Sequence, residues 1–133
     1  MTSYLLDTNI VSDLVRNPHG LAAARVARAG HEHICTSIVV AAELRYGVAR
    51  GVSRVVAERV KALLERLTIL PLTAPADEYY ADLRASLEAK GKPIGTNDLL
   101  IAAHALALDS TLVTDNVREF SRISGLRVEN WLR

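Results

Sequence analysis

The chemistry available to this sequence is carried by carboxylates. Asp7 ends the apolar run Tyr4-Leu5-Leu6 and is followed by Thr8 and Asn9. Glu43 interrupts the apolar stretch that begins at Ile38, and Asp98 precedes the nearly uncharged run Leu99 to Leu108. Asp115, Asn116 and Glu119 follow the apolar segment Thr111 to Thr114. Singly, each acid has a plain explanation: a helix cap for Asp7, escape to water for Glu43, a helix dipole contact of about 0.3–1 kcal/mol for Asp98, and a solvated loop for Asp115 and Glu119. Together they predict something else. No cation is supplied by a nearby sequence partner, and two unit charges about 4 Å apart repel by about 4 kcal/mol at an effective dielectric of about 20. A convergent cluster must therefore protonate or bind metal. Mg²⁺, with Mn²⁺ as the alternative, is the natural occupant, because oxygen ligands without a cysteine or histidine pair do not suit zinc. Mg²⁺ keeps waters and phosphate oxygens among its ligands, which points to phosphodiester hydrolysis by an activated water.

The positioning elements follow from the hydrophobic pattern. Tyr4 to Leu6 reads as a buried strand that puts Asp7 at the carboxyl edge of a sheet, where open α/β folds hold ligands. Thr8 and Asn9 are candidate caps for a helix with Ile10, Val11, Leu14 and Val15 in register. Asn17-Pro18 reads as the start of a second helix that Gly30 closes, and His31 to Thr36 as a second strand. Ser37 caps a helix over Ile38 to Tyr46 with Gly47 near its end, and the all-round apolar run Ile38 to Ala42 predicts a buried element. Further along come an amphipathic helix from Ser53 to Leu67, a strand over Thr68 to Leu72, a turn over Thr73 to Pro75, and a helix from Ala76 to Lys90 stopped by Gly91. Thr96 is the expected cap of the helix bearing Asp98. A short helix after the strand Thr111 to Thr114 would bring Asp115, Asn116 and Glu119 to one face. Leu126 to Leu132 reads as a last strand anchored by Trp131. Strands alternating with helices predict a doubly wound α/β sheet, mainly parallel and flanked by helices.

Composition narrows the classes. The chain has 133 residues, half of them hydrophobic, which suits a single domain over residues 1–133. No apolar run approaches the roughly 20 residues of a membrane span, and the amino terminus lacks a signal-like core, so a cytoplasmic protein without membrane association is expected. Cys35 is the sole cysteine and reads as a buried thiol. A net charge of +1 neither demands nor excludes nucleic acid. The arginines at 16, 45, 50 and 54, with Lys90 and Lys92, are candidates for a phosphate-facing rim, although solvated helix faces explain most such charges. His31, His33 and His104 fit no helical metal pair and read as structural.

Several stretches in order resemble the PIN-domain ribonucleases, specifically the VapC toxins of type II toxin–antitoxin modules. They are Leu5-Leu6-Asp7-Thr8-Asn9, the Ser37 to Gly47 helix with Glu43-Leu44 and Tyr46-Gly47, Ile94-Gly95 to Ala105, Leu112-Val113-Thr114-Asp115-Asn116 with Arg118-Glu119-Phe120, and Gly125 to Trp131. The resemblance implies a PIN-like fold and a metal-dependent endoribonuclease with Asp7, Glu43 and Asp98 as acidic core and metal ligands. It leaves the fourth acid between Asp115 and Glu119, with Asn116 beside them; relatives often carry asparagine where this chain has Asp115, which favours Glu119. It also implies a VapB-like antitoxin whose C-terminal segment crosses the site and often offers an arginine, a toxin homodimer, a toxin–antitoxin hetero-oligomer, and transfer or ribosomal RNA as substrate.

Two other readings are open at this level. A signalling receiver domain also places acids and Mg²⁺ at a sheet edge, but the adjacent acid pair after the first strand and the lysine after the last, by which receivers resemble one another, are absent. A catalytically silent PIN-fold binding module is the second, disfavoured by the presence of every expected acid.

Overall fold

The structure, a computed structural model, describes residues 3–133. Its centre is β1 (Tyr4–Leu6), which pairs in parallel with β2 (Ile34–Ser37) on one side and β4 (Thr111–Val113) on the other. β3 (Ile69–Leu70) extends the sheet beyond β2, and β5 (Val128–Glu129) extends it beyond β4, giving the order β3-β2-β1-β4-β5. Every pairing is parallel. Such a sheet is covered on both faces, which is why its central strands read as continuous apolar runs: Leu5, Leu6, Leu112 and Val113 are fully buried. The chain builds outward from β1 to β3, then returns to the far side of β1. That reversal opens a crevice at the carboxyl ends of β1 and β4, the place where doubly wound folds accept ligands.

Among the described residues, seven α-helices fill the connections. α1 (Thr8–Arg16) follows β1, α2 (Leu21–Ala29) precedes β2, and α3 (Ile38–Arg50) and α4 (Arg54–Arg66) link β2 to β3. α5 (Ala76–Ala89) packs along α6 (Thr96–Ala107) before β4, and α7 (Val117–Phe120) is a single turn before β5. Ser37 and Ser53 cap α3 and α4 through hydroxyls that accept from Val39 N and Val56 N. The carboxyl-terminal stretch is clasped onto the sheet edge by Trp131. Its ring meets Tyr4 at 4.9 Å and lies under the Arg25 guanidinium at 5.1 Å, while its indole N–H donates to Glu129 Oε1 at 3.0 Å. Arg25 also pairs with Glu129 at 3.2 Å.

Local differences from the sequence expectations have identifiable causes. Asp7, and not Thr8 or Asn9, caps α1. Asn17 closes α1 with its backbone N–H on Asp13 O, leaving Pro18 in a turn, so α2 starts only at Leu21. His31–His33 form one turn of 3₁₀ helix and the strand begins at Ile34. Gly95, not Thr96, precedes α6. α3 runs through Gly47, which crowds nothing, and stops at Gly51, whose φ of +130° ends the helix where a side chain would be strained. The largest departure concerns the start of α3. Val40, Ala41 and Leu44 are buried, but Ile38, Ala42 and Tyr46 face outward, so the apolar run covers the core on one side only.

Candidate active site

β1 delivers Asp7 to the crevice. Its carboxyl is 3 % exposed and tightly bonded: Oδ1 accepts from Thr8 N at 2.8 Å, and Oδ2 accepts from the Thr114 hydroxyl at 2.7 Å and, more weakly, from Asn9 Nδ2 at 3.4 Å. Asp7 is thus both the cap of α1 and an acid of the crevice. Thr114, buried just past β4, is the hub of this end. While donating to Asp7, its oxygen accepts from Asn116 N at 3.0 Å and from Asn9 Nδ2 at 3.3 Å. Asn9 Oδ1 in turn accepts from Asp115 N at 3.0 Å. These contacts stitch the loop after β4 to the start of α1 and fix where the Asp7 carboxyl points.

Glu43 reaches the same place from α3. It is half-buried, and its Oε1 accepts from the Thr8 hydroxyl at 2.7 Å. Asp98 comes from the first turn of α6 and Glu119 from α7. One oxygen of Glu119, Oε1, is buried and has no hydrogen-bond partner among the described residues. A buried acceptor left without a donor costs about 1–3 kcal/mol or more, so it marks a place made for a proton or a cation.

The electrostatics agree. Asp7 is held above the usual carboxyl range chiefly by burial, opposed by the bonds from Thr114 and Thr8, and raised further by the charges of Glu43 and Glu119. The Asp98 carboxyl is pushed up to about 7 by burial first, then by a hydrogen bond shared with Glu119, then by the negative charges of Asp7, Glu119 and Glu43. Two carboxyls can share a hydrogen bond only if a proton lies between them. Asp7, Glu43, Asp98 and Glu119 therefore feel one another directly, although they come from four separate elements.

The remaining sequence candidates lie elsewhere or act indirectly. Asp115 is exposed, and its carboxylate accepts from Asn130 Nδ2 at 3.0 Å, away from the four clustered acids. Asn116 contributes through its backbone, which bonds Thr114 and caps α7. His104 is buried and shares a 2.8 Å hydrogen bond with Ser37 Oγ; burial lowers its pKa, and it is a core residue. Thr8 and Thr114 are site residues that the sequence reading left out. Their only sequence signal is small hydroxyl residues at the carboxyl ends of two adjacent strands.

The fit to a divalent ion can be judged from these side chains. Among the described residues no three His, Cys, Asp or Glu side chains lie close enough to enclose an ion as they stand. Mg²⁺ needs less than that, since it commonly takes one or two carboxylates and completes its shell with water and phosphate oxygens. An all-oxygen donor set, a carboxyl that keeps its proton to about pH 7, and an unpartnered Glu119 oxygen suit a hard divalent cation.

A parallel doubly wound sheet with carboxylates meeting at its switch point defines the class of acid-centred α/β domains, and comparison with known proteins places the chain within it. The PIN domain profile matches residues 4–126, and the chain belongs to the PIN-domain family. Within that family it groups with the VapC ribonucleases. It is 42 % identical over 130 residues to Ribonuclease VapC2 of Rickettsia felis, covering 96 % of this chain and 97 % of that one. It is 34 % identical to the tRNA(fMet)-specific endonuclease VapC of Shigella flexneri, covering 98 % and 99 %. The crystal structure of VapBC2 from Rickettsia felis, bound to a DNA fragment from their promoter, superposes with a TM-score of 0.87 at 40 % identity over 98 % of this chain and 99 % of that one. The family membership removes the receiver-domain reading.

Proposed function

We propose that this chain is the toxin of a VapBC-type module: a Mg²⁺-dependent endoribonuclease, with Mn²⁺ able to substitute, held in check by a VapB-like antitoxin. The observation that carries the reading is the mutual influence of Asp7, Glu43, Asp98 and Glu119 in one crevice, where among the described residues none of the four is ion-paired with a lysine or arginine. Asp7, Asp98 and Glu43 are the residues that would hold the ion, with Glu119 as the fourth acid. Bound there, the ion would supply an activated water and offset the charge that develops on the phosphate.

The chain's own groups do the rest. The Thr114 and Thr8 donors keep the Asp7 carboxylate in one orientation, so a ligand meets a fixed oxygen. Glu119, facing Asp98 with one oxygen free, is placed to orient the attacking water and accept its proton. Glu43 is held by the Thr8 hydroxyl and also lines the cavity beside the crevice. An antitoxin arginine would satisfy the same carboxylates in place of metal, through charge-assisted bonds that are stronger than neutral ones. A toxin homodimer, itself assembled with antitoxin into a hetero-oligomer, is the expected form, acting on cytoplasmic RNA. Transfer RNA is favoured by the name of the Shigella relative, with ribosomal RNA the other class. No helix in the described residues is long and apolar enough to cross a membrane.

The test is direct. Purified protein should cleave RNA in Mg²⁺ and stop in EDTA, and Asp7→Asn and Asp98→Asn should each abolish cleavage with circular dichroism unchanged. Undiminished cleavage by the Asp98→Asn protein would remove the central acid from the scheme.

A further inference from the structure

Next to the carboxylates lies an open cavity of about 680 Å³ whose walls include Thr8, Ile38, Ala42, Glu43, Tyr46 and Asn97. It is continuous with the acidic crevice, since Thr8 and Glu43, bonded to each other at 2.7 Å, belong to both. Its floor is unusual for a solvent-facing surface. Ile38, Ala42 and Tyr46 recur every four residues on α3 and so form one stripe, with Ile38 48 % and Tyr46 65 % exposed. The Asn97 amide makes no side-chain hydrogen bond among the described residues, which leaves a donor and an acceptor free at the cavity wall.

An occupant of this cavity needs a flat apolar face for Tyr46 and Ile38 and a polar edge for Asn97. It must also tolerate Glu43 beside it. An apolar protein surface that brought no cation of its own would strip water from that carboxylate without compensation. A nucleotide arrives with a phosphate and its counter-ions. We infer that the cavity seats an unpaired nucleobase adjoining the phosphodiester held at Asp7 and Asp98, with Tyr46 as its stacking platform and Asn97 at its polar edge. The inference rests on the ribonuclease reading given above. Base stacking on an exposed aromatic is a general device for single strands and tolerates any base. Charge favours the same path. Arg45 precedes Tyr46 in the chain and lines, with Lys61 and an Arg54 paired to Glu58 at 3.2 Å, a neighbouring groove of about 520 Å³ between α3 and α4 that keeps a net positive charge. A strand leaving the platform would meet these cations with its backbone phosphates.

The experiment uses the full chain carrying Asp98→Asn, so that RNA is bound and not cut, with a fluorescent single-stranded RNA of mixed sequence as probe in Mg²⁺. Adding Tyr46→Ala should weaken binding about tenfold or more, while Tyr46→Phe or Tyr46→Trp should restore it. Size-exclusion chromatography should show the same oligomeric state for all variants. In the Asp98-containing chain, Tyr46→Ala should raise KM more than it lowers kcat. Equal RNA affinity for the Tyr46→Ala and parent proteins overturns the subsite while leaving the nuclease reading standing. A change of oligomeric state with Tyr46→Ala overturns it in favour of a second copy of the chain on this face. Failure of the parent to bind RNA, together with failure of the unsubstituted protein to cut it, overturns both readings.

Discussion

Neutralising Asp98 should make the metal-free protein more stable at alkaline pH, even though it removes a residue proposed for activity. The carboxyl releases its proton near pH 7 in the fold, against an ordinary value of 3.8. The folded state therefore binds the proton more tightly than the unfolded chain, and stability falls as pH rises from about 4 to about 7. The full penalty is in force above that. Each pH unit of difference is worth about 1.4 kcal/mol, an upper bound of about 4 kcal/mol. Asp98 is only half-buried, and solvent screening reduces this to about 1–2 kcal/mol. For a domain of this size that is about 4–8 °C in Tm. Thermal unfolding in EDTA should show the wild type losing stability relative to the Asp98→Asn protein between pH 5.5 and pH 8, a comparison in which the opposite trend from His104, whose lowered pKa makes both proteins gain stability as pH rises, cancels. The variant should also melt higher than the wild type at pH 8. Mg²⁺ at pH 8 should raise the wild-type Tm and leave the variant's almost unmoved. If the Asp98→Asn protein melts at or below the wild type at pH 8 without metal, the four carboxyls do not destabilise the fold by mutual repulsion.

Other outcomes follow from individual contacts. Glu119→Gln should slow RNA cleavage by about 10²-fold or more in a single-turnover assay, the range of a lost general base, whereas Asp115→Asn, which loses only the Asn130 contact, should change it less than about twofold. Thr114→Val leaves one Asp7 oxygen without its best donor and should cost about 1–3 kcal/mol in urea unfolding; restoration by Thr114→Ser would assign the loss to the hydroxyl. Trp131→Ala empties the clasp between Tyr4, Arg25 and Glu129 and should cost about 3–5 kcal/mol by the same measurement.

What the sequence made readable was whatever depends on neighbours in the chain. An apolar triplet ending in an acid announces β1 and Asp7, serines before apolar runs announce α3 and α4, and the uncharged stretch after Asp98 announces a buried α6. Two kinds of information were hidden. Helix ends depend on which backbone groups find partners, so Asn17 and Gly47 misled where Asp13 O and an uncrowded helix face decided the matter. The choice between Asp115 and Glu119 depends on partners far along the chain. Asp115 is drawn outward by Asn130, and Glu119 faces an acid that precedes it by a whole strand. Likewise nothing near Thr114 in sequence indicates that its hydroxyl holds Asp7, 107 positions away.

The crevice draws on residues 7, 43, 98 and 119 of 133, and the strand that brings the last of them is inserted beside the first. During synthesis, the growing polypeptide consequently carries an unfinished centre until residue 119 has emerged. On the proposed function, a ribosome making the chain, itself built of RNA, handles an inert precursor until Glu119 is available. On the same proposal, the period in which an inhibitor is needed opens only after residue 119 has emerged.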